Sequence, residues 1–183
     1  MSHVSEKEQL RLAVQSFRTW AHTIFPAERS GEWEMEYDHW ENLHLAAKAV
    51  LCCDCGAWDG ETKELLLFAI ASDNEFEFIV NQLNAHQLVM LAEVSIHSDQ
   101  RDAKWQLAVG LGRFPLATGL ERILLALADD ADEYVRRRAL MVLADIGSPC
   151  SPVGSRTVGS QLGTLKSAAS DARCRQARYP HTS

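Results

Sequence analysis

An all-α fold is the class this 183-residue sequence predicts, and three observations carry it. Apolar residues return at i, i+3 and i+4 through most of the first 147 positions, the repeat of a helix with one buried face. Capping residues divide that pattern into helix-length pieces. No stretch alternates apolar and polar residues for long, so no sheet is expected.

The elements follow in order. Ser5 and Glu8 form a capping box before a stripe of Leu10, Ala13, Val14, Phe17, Trp20, Ala21 and Ile24, and Pro26 closes this first helix. A second helix is expected over 33–53. Its inner stripe is Tyr37, Trp40, Leu43, Ala47, Val50 and Leu51, and Glu34, Asp38, Glu41 and Lys48 lie outside. Gly56 and Gly60 frame the next turn, and a third helix over 61–71 carries Leu65, Leu66, Phe68, Ala69 and Ile70. Ser72 and Glu75 read as a second capping box, opening a short fourth helix through Phe76, Ile79, Val80 and Leu83. A fifth bears Leu88, Val89, Leu91, Ala92 and Ile96.

Ser98 and Asp99 offer caps for a sixth helix over 100–113, with Ala103, Leu107, Leu111 and Phe114 on its stripe. Pro115 stops it, having no amide hydrogen and a clashing ring. Thr118 and Glu121 form a third capping box, for a helix through Ile123, Leu124 and Leu127. Asp132 caps an eighth helix with Val135, Ala139, Val142, Leu143 and Ile146, which Gly147 and Pro149 end. Each cap is worth about 1 kcal/mol and fixes the segmentation independently of the apolar pattern.

The sixth and eighth helices overlay at a shift of 32 residues: 103–107 falls on 135–139, Leu111 on Leu143 and Phe114 on Ile146. Each is preceded by an acidic turn and an apolar helix, so a helix–turn–helix unit recurs in tandem. The clearest copy, residues 124–147, resembles a HEAT repeat of the short bacterial type also found in phycobilin-lyase-like proteins. The matching residues are Asp132 in the acidic turn, the pair Val135 and Arg136 opening the second helix, the small Ala139, and the ending Leu143 to Gly147. The resemblance covers 117–147 well and 85–114 less closely, with Ala103 and Lys104 in place of Val-Arg; over 5–83 it rests on helix pairing. It implies a short right-handed α-solenoid of about four HEAT-like helix pairs, spanning 1–149. One helix pair cannot cover its own apolar face, whereas stacked pairs can.

Composition restricts function. The net charge is −7, but it averages two unlike parts. Residues 1–149 carry 24 acidic and 13 basic side chains, and residues 150–183 carry one and five. An acidic body argues against a phosphate-binding surface. The polar N-terminus has no apolar signal core, and no apolar run approaches the roughly 18–20 residues of a membrane span. A cytoplasmic protein is expected, with no membrane or nucleic-acid partner. Residues 150–183 hold 14 Gly, Ser, Pro or Thr and four Val, Leu or Ile. A flexible, disordered basic tail is expected there.

Each candidate site has a plainer role beside the functional one. Cys52, Cys53 and Cys55, with His39 and His44 upstream, lack a second CxxC or a zinc-spaced HxxxH. Cys52 and Cys53 simply extend the apolar end of the second helix. Gly110 and Gly112 sit inside an amphipathic helix with no preceding strand, so packing glycines explain them better than a nucleotide loop. Arg136, Arg137 and Arg138 follow four acids, and a first arginine packed on the acidic turn with its neighbours solvated is preferred to phosphate binding. No catalytic motif, metal or cofactor is expected.

One segment stands apart. Residues 28–41 hold six carboxylates among Trp33, Tyr37 and Trp40. Glu34, Asp38 and Glu41 share one face of a continuous helix. Glu75, Glu77, Asp99 and Asp102, on second helices of later pairs, would extend it. A solvated acidic face is the plain reading; a docking face for a basic protein is the sharper one. The expected function is a non-catalytic protein-binding scaffold, monomeric when free, with an inhibitor or immunity-type role as the specific form. An enzyme or enzyme accessory, such as a chromophore-lyase-like HEAT protein, is the alternative.

Overall fold

The computed structural model describes residues 5–24, 32–115, 117 and 119–147. The expected stop at Pro26, the Thr118 cap and the tail at 150–183 lie outside them. Among the described residues the chain forms eight α-helices and no strand: α1 Glu6–Thr23, α2 Trp40–Leu51, α3 Gly60–Ser72, α4 Phe78–Gln82, α5 Ala85–Ser95, α6 Arg101–Leu111, α7 Leu120–Leu127 and α8 Glu133–Asp145. Short 3-10 turns occupy Trp33–Glu36 and Cys55–Ala57.

Helix starts follow local chemistry. Ser5 caps α1, its hydroxyl accepting from the Glu8 amide. Asp59 caps α3, accepting from both the amide and the hydroxyl of Thr62. It also meets Lys7 at 2.6 Å, which ties the first turns of α1 and α3 together. Hydrogen bonds from Lys7 and Thr62 hold the Asp59 carboxyl well below the usual carboxylate range. Asp132 caps α8 through the amides of Tyr134 and Val135. At the other end of α8, Gly147 takes a φ of +68°, where glycine has no Cβ to strain.

Two expectations require correction. The helix predicted over 33–53 is broken: a 3-10 turn covers 33–36, Tyr37 is extended, and α2 begins at Trp40. The cause is aromatic packing around Phe17. Its ring lies 6.4 Å from Trp33, 5.0 Å from Tyr37 and 5.3 Å from Trp40. Folding the chain lets all three converge on one ring, and the Trp40 indole then donates to the Glu34 carbonyl.

The second correction concerns the start of α4. Ser72 does not cap it; its hydroxyl donates back to the Phe68 carbonyl. Asp73, fully buried, takes that role. One carboxylate oxygen accepts from the Ile79 amide at 2.7 Å, and the other lies 2.8 Å from His44 Nε2. The His44 ring stacks on Phe78 and Trp40. Glu77 completes the turn in the left-handed region, at φ +50°. Asn84 and Gln87 form a capping box for α5 that the sequence reading did not single out.

Helices α1, α3, α6 and α8 touch in succession, α5 pairs with α6 and α7 with α8, and α5 and α7 touch each other. Helix α2 packs on α1 and on α4. Helix α6 reaches α3, α4, α5, α7 and α8, and α3 reaches as many. Close approach of α5 explains Gly110: a Cβ there would sit 2.9 Å from a Leu88 methyl. The core runs unbroken from Leu10 in α1 to Leu143 in α8, with Val135 and Ala139 fully buried.

Replacing Asp73 by alanine strands the buried Ile79 amide and should lower the unfolding free energy by about 2 kcal/mol. Urea unfolding checks this; a loss below about 0.5 kcal/mol, the range of inert surface changes, would show that the α3–α4 turn does not depend on the carboxylate.

Candidate functional site

The acidic residues singled out in the sequence divide into those the fold gathers and those it scatters. Because α2 starts at Trp40, Glu34, Asp38 and Glu41 do not share a helical face. Glu34 sits in the 3-10 turn, Asp38 in the turn that follows, and Glu41 in the first turn of α2. Glu75 and Glu77 lie in the α3–α4 turn, Asp99 in the α5–α6 turn, and Asp102 in the first turn of α6. The single stripe is therefore replaced by a smaller cluster built from two turns and a helix start.

Glu34, Glu75 and Asp102 are the members brought together. The Glu34 carboxyl is held above its usual range, first by burial and then by the neighbouring charges of Glu75 and Asp102. It borders a cavity of about 290 Å³ between α1, the 3-10 turn, the end of α3 and the start of α6. Phe17, Trp33, Phe68, Ala21 and Ala71 give this cavity apolar walls; Arg18, His22, Glu34, Ser72, Gln100 and Asp102 give it polar ones. The Arg18 guanidinium lies 4.2 Å over the Phe68 ring.

A second depression of about 500 Å³ shares Asp102. Asn74, Glu75, Glu77, Arg101, Trp105, Tyr134 and Arg138 complete its lining. Asp102 accepts from the Trp105 indole at 3.1 Å and pairs with Arg101 at 3.0 Å. Arg138 stands over the Tyr134 and Trp105 rings. Two buried polar atoms of this lining, Asn74 Oδ1 and Arg138 Nε, have no hydrogen-bond partner. The two depressions meet at Asp102, and their joint lining, called the trough below, holds Glu34, Glu75, Glu77 and Asp102 together with Arg18, Arg101 and Arg138. It is a mixed surface with aromatic walls, not the uniform acidic face expected.

The remaining acids lie elsewhere. Asp38 lines a separate depression on α1, beside Thr19, Trp20 and His39. Glu41 and Asp99 are exposed and line neither part of the trough. Of the arginines in α8, Arg136 donates to the carbonyls of Asp130 and Ala131. Burial works to raise the Asp130 carboxyl, but Lys104, the Asp132 amide and Arg136 outweigh it and hold it below its usual range.

The cysteines also differ from the expectation that Cys52 and Cys53 extend an apolar face. Both are exposed just past α2, and the buried thiol is Cys55, 3.3 Å from His86 Nδ1. Among the described residues no three His, Cys, Asp or Glu side chains are placed to hold a metal ion. No described helix is long and apolar enough to cross a membrane.

Sequence reasoning missed Arg18, Arg101, Trp105, Tyr134 and Arg138 as wall residues. Trp105 and Tyr134 carried a signal, as aromatics at the starts of helices beside acidic turns; Arg138, weighed with Arg136 and Arg137 and read as solvated, is half-buried and bonds to the Tyr134 hydroxyl. Comparison with known proteins finds no matching family model, no matching curated protein and no matching solved structure.

A carboxyl whose pKa is raised by folding binds more protons in the native state than in the unfolded one, so its ionisation costs stability as pH rises through its native value. Glu34→Gln should therefore melt higher than the wild type at pH 7–8. The gap should close below about pH 4, where an unperturbed glutamate is itself protonated. Thermal scans across that range test it; superimposable curves would remove the like-charge crowding.

Proposed function

We propose that the chain is a non-catalytic, protein-binding scaffold built as a short right-handed solenoid of HEAT-like helix pairs, and that the trough holds a basic surface of its partner. The observation that carries this reading is Glu34, half-buried on an aromatic wall and crowded by Glu75 and Asp102. A guanidinium or ammonium from a partner relieves that crowding, and the apolar walls of Phe17, Trp33 and Phe68 fit the methylene stem behind such a charge. The pairing of α5 with α6 and of α7 with α8, with contacts between the pairs, supports the repeat architecture. The excess of acid in residues 1–149 favours encounter with a basic protein over a nucleic acid. An inhibitor or immunity-type role is the specific form of this reading: the carboxylates of the trough, Glu75 and Glu77 first, would mask the basic working surface of a target.

The test uses the immobilised full chain to capture a partner, followed by titration of the purified partner against variants. The partner should be basic, and its affinity should fall as salt rises. Glu75→Lys with Glu77→Lys should weaken binding at least about tenfold, in the range of lost charge pairs at interfaces. Asp38→Lys with Glu41→Lys, outside the trough, should leave it unchanged. The opposite ranking would overturn the assignment.

A further inference from the structure

We infer that Cys52 and Cys55, with His86 beside them, form a dithiol–disulfide site that exchanges with low-molecular-weight disulfides. Two residues, Cys53 and Asp54, separate the pair. Cys52 follows the last turn of α2 with helical dihedrals, and Cys55 opens the 3-10 turn that comes next. A disulfide needs its two Cα atoms about 4.4–6.8 Å apart, a span within reach across two intervening residues.

Exposure gives the two thiols different parts. Cys52 is exposed and Cys55 is buried, so an incoming disulfide meets Cys52 first. Cys53 is exposed as well, but its sulfur lies 3.5 Å from the Ala49 carbonyl, turned back along α2 and away from Cys55. The buried thiol has a base at hand: Cys55 Sγ lies 3.3 Å from His86 Nδ1. The His86 ring is exposed, so a proton taken from the thiol passes on to solvent.

The joint between α2 and α5 holds this imidazole in place. His86 sits in the first turn of α5, between Asn84 and Gln87, which form the capping box of that helix. Gln87 also donates to the Leu51 carbonyl at the end of α2, at 2.8 Å. On the other side Asp54 accepts from the Gly56 amide at 3.0 Å and fixes the start of the 3-10 turn. None of these side chains lines the trough, so the site is separate from the docking surface.

Exchange takes two displacements. The Cys52 sulfur, as thiolate, attacks one sulfur of the small disulfide; that S–S bond breaks, a mixed disulfide forms and one small thiol leaves. Cys55 then gives its proton to His86 and attacks the Cys52 sulfur; the mixed disulfide breaks, the Cys52–Cys55 bond forms and the second small thiol leaves. Two chain thiols are oxidised, and the small disulfide is reduced to two thiols, which take up the two protons.

The reduced full chain, mixed with glutathione disulfide, quenched in acid, alkylated and digested with trypsin, tests this by mass. The peptide 49–63, which holds Cys52, Cys53 and Cys55, should carry one alkyl group and one internal disulfide, and dithiothreitol should return it to three alkyl groups. Cys53→Ser, which leaves both reacting thiols in place, should keep the disulfide. Cys55→Ser should stop at a glutathione adduct on Cys52. His86→Ala should slow the second displacement at least about tenfold, so that the Cys52 adduct accumulates, and added imidazole should recover part of the rate. No disulfide in the Cys53→Ser chain, a bridge that survives Cys52→Ser, a bridge from either thiol to Cys150 or Cys174, or an unchanged rate in His86→Ala would each overturn the proposal.

Discussion

The carbonyls at the ends of the early helices need donors, and later helices supply them. The last four carbonyls of any α-helix have no partner within it, and burying them unpaired is costly. Gln87 of α5 donates to the Leu51 carbonyl at the end of α2, at 2.8 Å. Gln106 of α6 donates to the Ile70 carbonyl near the end of α3, at 2.7 Å. Arg113, just past α6, donates to the Val80 carbonyl of α4, at 2.8 Å. Burial lowers the pKa of that arginine. The donors lie 36, 36 and 33 residues beyond their acceptors. Both glutamines are almost wholly buried, so each bond is made in an environment where its absence would cost about 1–3 kcal/mol. Gln87 does double duty: its other side-chain atom accepts from the Asn84 amide and so opens α5.

These bonds place the trough. Gln106 holds α6 against α3, which brings Asp102, one turn earlier on α6, to the end of α3 where Glu75 begins the next turn. From the other side, the ring of Phe17 gathers Trp33, Tyr37 and Trp40 and bends the chain so that Glu34 meets the same spot. The carboxylates converge because helix ends and aromatic rings are satisfied elsewhere, at the expense of their mutual repulsion. Such local conflict inside a consistent fold is where binding surfaces are usually found.

The helical class and the caps of α1 and α8 were legible, because their chemistry is local; Ser98 and Asp99 do not cap α6, which follows Gln100 with no side-chain cap. Ser5 and Asp132 act within three residues of themselves, and the apolar stripes recur every three or four. The α3–α4 turn was misread because Ser72 and Asp73 both have capping side chains, and what decides between them is His44, 29 residues away in sequence. The break before Trp40 was hidden for the same reason: the stripe of 33–51 is helical in period, and the groups that Trp33, Tyr37 and Trp40 pack on, Phe17, Trp20 and Ser16, lie on α1. Gln87 and Gln106 left a faint trace as polar residues beside apolar stripes, without any sign of which carbonyl they meet. The trough therefore could not be assembled from spacing, since its carboxylates are linked through packing and not through one helix.

Native-state hydrogen exchange on Gln106→Leu tests the central dependence most directly, since exchange reports which helices open together. With the Ile70 carbonyl left to the Asp73 amide alone, the amides of α6 and of the last turns of α3 should lose protection together, while those in the first half of α1 change much less. If α3 and α6 keep wild-type protection in that variant, the bond between them does not organise the fold, and the placement of Asp102 beside Glu34 needs another cause.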